Sequence, residues 1–168
     1  SLDQIKRPVV ILPGNHDTLF TSASSKFSFN ELPPNVFMFR AEEGETIFIN
    51  DLGIFLWGRP VYNHEPSFHP LYGLPPRPGD GWYIAMAHGL VVDSISDNGW
   101  SSPISVDELA QADCDYIALG HLHLFEDVTQ GEASAFYSGA TSDTQKPTVA
   151  LVTLDPHEGV DVKAISLG

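Results

Sequence analysis

Apolar residues recur along the chain in short runs and alternating stretches, each closed by glycine, proline or a small polar residue. This is the signature of many short strands rather than of amphipathic helices. Runs at 8–12, 36–39, 82–87 and 116–119 read as buried strands. The stretches 46–50 and 54–57 flank Asp51-Leu52-Gly53, which reads as a hairpin turn. Three more strands are predicted at 134–137, 148–154 and 160–165, with His157-Glu158-Gly159 turning the last pair. One helix is well marked: Ser105-Val106-Asp107-Glu108 matches a capping box, Ile104 and Leu109 are spaced as a hydrophobic staple, and the helix is predicted over 106–112. A weaker helix is predicted after His16, and the Pro-, Gly- and aromatic-rich stretch 63–81 reads as a long loop. Parallel strands need crossover connections, usually helical, and only one or two helices are available. Either the sheet is mostly antiparallel, or a helical part of the fold lies outside this sequence.

Length and composition narrow the class. With 168 residues, 42% hydrophobic and 18% charged, the chain can bury a core of its own and reads as one globular domain over 1–168. No apolar run is long enough for a membrane helix, so no membrane contact is expected. The 22 acidic residues against 8 basic ones give a net charge of −14, and the basic residues form no cluster. Such a surface repels duplex DNA unless a partner supplies the basic groove. The single Cys114 excludes an internal disulfide and fits a reducing compartment, the cytoplasm. Its neighbours Asp113 and Asp115 are expected to raise the thiol pKa.

The chemistry lies at three strand ends. The run 8–12 leads into Gly14-Asn15-His16-Asp17, the run 82–87 into His88-Gly89, and the run 116–119 into Gly120-His121-Leu122-His123. In α/β sheets, functional side chains converge at the carboxyl ends of strands, where backbone pairing stops. Taken singly each piece has a plainer reading: Gly-Asn-His-Asp as a turn, His88 as a satisfied core histidine, His121 and His123 as strand-end polar residues. Taken together, four histidines and an asparagine at three strand ends point to a shared site for a transition metal, since imidazole suits Zn, Mn and Fe. His64 and His69 read as loop histidines, and His157 as surface.

These motifs, in this order, resemble the last three of the calcineurin-like metallophosphoesterases. The run from Cys114 to His123 followed by Phe136-Tyr137-Ser138-Gly139-Ala140-Thr141 is similar to the DNA-repair exonuclease (SbcD-like) branch. The resemblance implies the C-terminal part of a four-layer α/β/β/α sandwich. It also implies hydrolysis of a phosphodiester or phosphomonoester by a hydroxide held on two metals. Carried over by motif, Asn15, His88 and His121 would bind one metal, His123 would bind the other, and His16 would be the catalytic histidine. The family's first two motifs, Asp-x-His and Gly-Asp-x-x-Asp, have no match here. One divalent ion (Mn, Fe or Zn) is therefore expected rather than two, in a C-terminal half or truncated enzyme that is weak or inactive alone. The alternative is a catalytically impaired metal-binding chain, or a subunit completed by another chain or by self-association. Asp17 is expected to cap the following turn rather than to orient His16, and Leu122 to turn into the fold by extended-chain alternation.

Overall fold

The computed structural model describes residues 2–17, 32–63, 65–95 and 101–168. Twelve strands and one α-helix follow in order: β1 (Val9–Ile11), β2 (Val36–Met38), β3 (Glu45–Ile49), β4 (Ile54–Gly58), β5 (Trp82–His88), β6 (Leu90–Val92), β7 (Pro103–Ser105), α1 (Val106–Gln111), β8 (Tyr116–Gly120), β9 (Phe125–Asp127), β10 (Ser134–Ser138), β11 (Thr148–Asp155) and β12 (Gly159–Ser166). The strand-rich α/β class read from the sequence is the observed one. Every predicted strand is present with its ends moved by a residue or two. The strands β6, β7 and β9, each three residues long, were not foreseen. β1 and β2 are as short but were visible because they lie within longer apolar runs, whereas β7 and β9 carry polar residues and β6 follows β5 after only Gly89. The helix predicted after His16 falls outside the described residues.

The main sheet has six strands in the order β3-β4-β5-β8-β10-β9. Its four inner strands β4, β5, β8 and β10 are mutually parallel, and only the edge strands β3 and β9 run antiparallel. A mostly antiparallel sheet is thus excluded, although α1 is the single α-helix among the described residues. One helix suffices because α1 lies in the β5-to-β8 crossover, while the β4-to-β5 and β8-to-β10 crossovers use no α-helix among the described residues. The β4-to-β5 crossover is the proline-rich stretch 59–81, whose described residues form turns but no regular element.

That loop is held by its arginines. Arg59 donates to the carbonyls of Glu42 and His69 at 2.8 and 3.1 Å, and its guanidinium lies over the Phe68 ring, 4.8 Å from its centroid. Arg77 makes a two-pronged pair with Asp115, both N···O distances 2.9 Å, just before β8. The same carboxylate accepts the Tyr83 N–H at 2.7 Å, tying loop, β5 and β8 together.

Local chemistry explains the ends of the elements. Ser105 accepts the Glu108 N–H at 3.1 Å while Glu108 accepts the Ser105 N–H at 2.8 Å, so the capping box forms as read. Ile104 and Leu109, the expected staple pair, are both fully buried. The β3–β4 hairpin turns through Asn50–Leu52 and closes at Gly53 with φ 62°, a left-handed conformation that favours glycine.

The core lies on one face of the sheet. On β5, Tyr83, Ala85 and Ala87 are buried while Ile84, Met86 and His88 on the other face are half-buried. Trp57, Ile117, Leu119, Ala135 and Tyr137 join the buried set, and Leu71 from the loop and Leu109 from α1 cover it. Each large apolar side chain buried there contributes roughly 1.5–3 kcal/mol. Cys114 belongs to this core, and its thiol is pushed up to about 12. Burial is the main cause, and the flanking aspartates named from the sequence are lesser ones.

The β11–β12 hairpin differs. It pairs in eight register steps from Thr148↔Ser166 to Asp155↔Gly159, yet none of its residues is buried. Leu151 is 53% and Leu167 52% exposed.

Candidate functional site

Three elements deliver the site. After β1, the carbonyl of Pro13 accepts the Val61 N–H at 3.1 Å, fixing the exit of that strand against the start of the crossover loop. The chain then turns, the Asp17 N–H closing onto the Gly14 carbonyl at 3.1 Å, and this places Asn15 at the edge of the sheet. His88 is the last residue of β5 and pairs in register with Gly120, the last residue of β8. His121 follows immediately.

The arrangement brings together Asn15, His88 and His121. Asn15 Oδ1 and His88 Nε2 are 2.8 Å apart, and the His88 and His121 rings stand edge-on, centroids 5.4 Å apart at 78°. All three residues are half-buried. The His88 ring lies between two glycines. A Cβ on Gly14 would sit 2.5 Å from His88 Cε1, and one on Gly120 would sit 2.9 Å from His88 Nδ1. Any side chain at either position would push the imidazole away, so the glycine before each motif makes room for the ring.

His121 carries the clearest strain. Its φ is 105°, where residues with a Cβ are uncommon, and Ser102 is the only other non-glycine at positive φ among the described residues. Such a conformation costs about 1–3 kcal/mol and persists where the surroundings hold it, often at functional sites. The segment 121–124 therefore bends sharply instead of continuing extended as expected. Leu122 still packs against the core, but the kink turns it inward, not strand alternation.

The kink also separates the two histidines. His123 is exposed and lines a different feature, a cleft of about 350 Å³ with Leu124, Phe125, Asp143, Lys146 and Thr148. The Asp143 carboxyl is held below its ordinary value, first by the Lys146 and Gln145 backbone N–H groups, with a smaller contribution from His123. His16 and Asp17 are exposed, and the turn that Asp17 was expected to cap lies outside the described residues, as does His64. His69 serves the fold through its carbonyl on Arg59, and His157 sits exposed in the β11–β12 turn, its N–H donated to Asp155 at 2.8 Å.

The donors suit a divalent transition ion. Two imidazoles and an amide oxygen form a borderline N/N/O set. Ligand atoms about 2.1 Å from one ion stand roughly 3 Å apart, close to the Asn15–His88 separation. Among the described residues, no three His, Cys, Asp or Glu side chains form a group of metal-binding geometry. The trio is consistent with this because one of its members is an amide.

Sequence reasoning missed the oxygen that anchors the strand end. The Tyr137 hydroxyl on β10 accepts the Val91 N–H at 2.8 Å and donates to the Gly89 carbonyl at 2.9 Å, gripping the backbone just after His88. The Phe136-Tyr137-Ser138 run was visible, but nothing in one sequence links it to Gly89.

No described helix is long and apolar enough to cross a membrane. No curated protein matches the chain. The family model for the calcineurin-like phosphoesterase domain matches residues 1–125, and that span contains all three strand-end motifs. The chain belongs to the calcineurin-like phosphoesterases, a family of metal-dependent hydrolases of phosphate esters.

Proposed function

We propose that this chain binds one divalent transition ion (Mn, Fe or Zn) through Asn15, His88 and His121, as part of an incomplete two-metal phosphoesterase site. The observation that carries the reading is the convergence of these donors around a histidine seated between two glycines. When bound, such an ion polarises a phosphoryl group and makes water nucleophilic at neutral pH. His16, next to Asn15 and open to solvent, is positioned in sequence to donate to a phosphoryl oxygen or to the departing alkoxide. His123 belongs to a second metal position, for which no further His, Cys, Asp or Glu ligand group forms among the described residues. The cleft beside His123 gives the organic part of the ester a place, with Leu124 and Phe125 as apolar wall and Lys146 as cation.

The exonuclease-like branch is supported by the runs 114–123 and 136–141. The net charge of −14 argues against duplex DNA as a substrate without a partner. A second reading is a metal-binding subunit whose carboxylates come from another chain or a second copy. It is favoured by the absence, among the described residues, of any carboxylate completing a group with His88 and His121.

The test is hydrolysis of bis(p-nitrophenyl) phosphate by the purified chain with added Mn²⁺. Turnover should require the metal, vanish in His88→Ala, and fall well below the roughly 10 s⁻¹ typical of enzymes. Metal-independent turnover, or a rate near that typical value, contradicts an incomplete site.

A further inference from the structure

The backbone directly after His88 is the most tightly constrained stretch near the site. Gly89 donates its N–H to the Gly120 carbonyl at 3.3 Å, and Leu90 donates to the Ser102 carbonyl at 3.1 Å. A Cβ on Gly89 would stand 2.1 Å from the Ser102 carbonyl oxygen and 2.9 Å from Pro70 Cγ. Into this packed corner β10 sends Tyr137, fully buried, whose hydroxyl takes the Val91 N–H and gives its proton to the Gly89 carbonyl.

Phenylalanine would fill the same volume. It would leave the half-buried Val91 N–H and the buried Gly89 carbonyl without this partner, which is the costly way to lose a hydrogen bond. The hydroxyl therefore sets the path of residues 89–91, and that path fixes where β5 ends and where its last side chain points. Burial pushes the phenol up to about 12, so it keeps its proton, and its donor role, throughout the neutral range.

We propose that Tyr137 is a positioning residue of the metal site: through Gly89 and Val91 it holds the His88 imidazole in its slot between Gly14 and Gly120. Its bearing on metal affinity rests on the assignment of His88 as a ligand. Its bearing on the ring itself does not. Tyr83 supplies the control, being equally buried on β5, two strands from β10 in the same sheet, with its hydroxyl donated to the Pro75 carbonyl at 3.2 Å in the crossover loop.

The experiment compares Tyr137→Phe and Tyr83→Phe with the unaltered chain. It records the imidazole ¹H–¹⁵N resonances of His88 and His121 without metal, the Zn²⁺ affinity by competition with a chelator, and the thermal midpoint. Both variants should lose some thermal stability. Only Tyr137→Phe should shift the His88 resonances and weaken Zn²⁺ binding, by about tenfold, as loss of a supporting hydrogen bond behind a metal ligand does. In the unaltered chain the Val91 amide should be among the slow hydrogen exchangers, a readout that stands even if the variant folds poorly. His88 resonances and affinity in Tyr137→Phe indistinguishable from those in Tyr83→Phe, or a fast-exchanging Val91 amide, would overturn the proposal. An unaltered chain that binds no Zn²⁺ defeats the metal-site reading instead, and the resonance comparison still decides whether Tyr137 positions His88.

Discussion

The two ends of strands β5 and β8 are built on opposite principles. At their amino ends Arg77, Asp115 and the Tyr83 N–H satisfy one another: a cation faces an anion, and each hydrogen bond has its partner inside the fold. At their carboxyl ends no charges are paired: His88 Nε2 donates to Asn15 Oδ1 at 2.8 Å and the His121 ring stands edge-on beside them, on a backbone kinked at His121. The first arrangement closes polar groups on themselves and stabilises the crossover loop. The second gathers the proposed metal ligands and carries strain, the pattern expected where stability is given up for binding.

His121→Gly breaks this contrast most strongly. It removes a ligand and also the Cβ that makes φ 105° costly. Metal affinity should fall by at least a hundredfold in chelator competition, while unfolding stability stays level or rises by up to about 1 kcal/mol. A loss of stability comparable to an ordinary core deletion would show that the histidine serves the fold instead. Asp115→Ala works at the opposite end. It removes the acceptor of the Tyr83 N–H and leaves the Arg77 guanidinium only the Gly81 carbonyl, and should cost about 1–3 kcal/mol in denaturant unfolding with metal affinity unchanged. His123→Ala gives the smallest effect, because His123 lies beyond the kink in the cleft with Lys146. Affinity for the single ion should change less than twofold.

The sequence was most legible where local chemistry suffices. The capping box at Ser105 and Glu108 and the turn at Gly53 depend on neighbours in the chain, and they appear as read; β5 was read as a buried run and instead buries alternate side chains. The strand-end motifs announced themselves because Gly, Asn and His recur where apolar runs stop. The parallel order of the sheet was not legible, because only the β5-to-β8 crossover carries the predicted helix, while the β4-to-β5 crossover is a proline-rich loop and the β8-to-β10 one a short strand and turns. Nor was the kink at His121, since φ is set by packing around the residue and not by its type. The partnerships of Arg77 with Asp115 and of Tyr137 with Gly89 span 38 and 48 residues, distances over which a single sequence carries no pairing signal.

The β11–β12 hairpin extends the comparison to a whole element. The inner sheet buries one face completely, whereas this hairpin is fully paired along its length and buries no side chain. Backbone pairing alone gives marginal stability to a two-stranded ribbon, so its contacts with β10 hold it in place.

The claim that three strand ends form one ion site, with His123 apart from it, is tested most directly by counting metal. The chain is saturated with Zn²⁺ or Mn²⁺, freed of excess, and analysed for metal per chain beside His88→Ala and His123→Ala. The account predicts one ion per chain, lost in His88→Ala and retained in His123→Ala. Two ions per chain, no ion at all, or one ion that survives His88→Ala would contradict it.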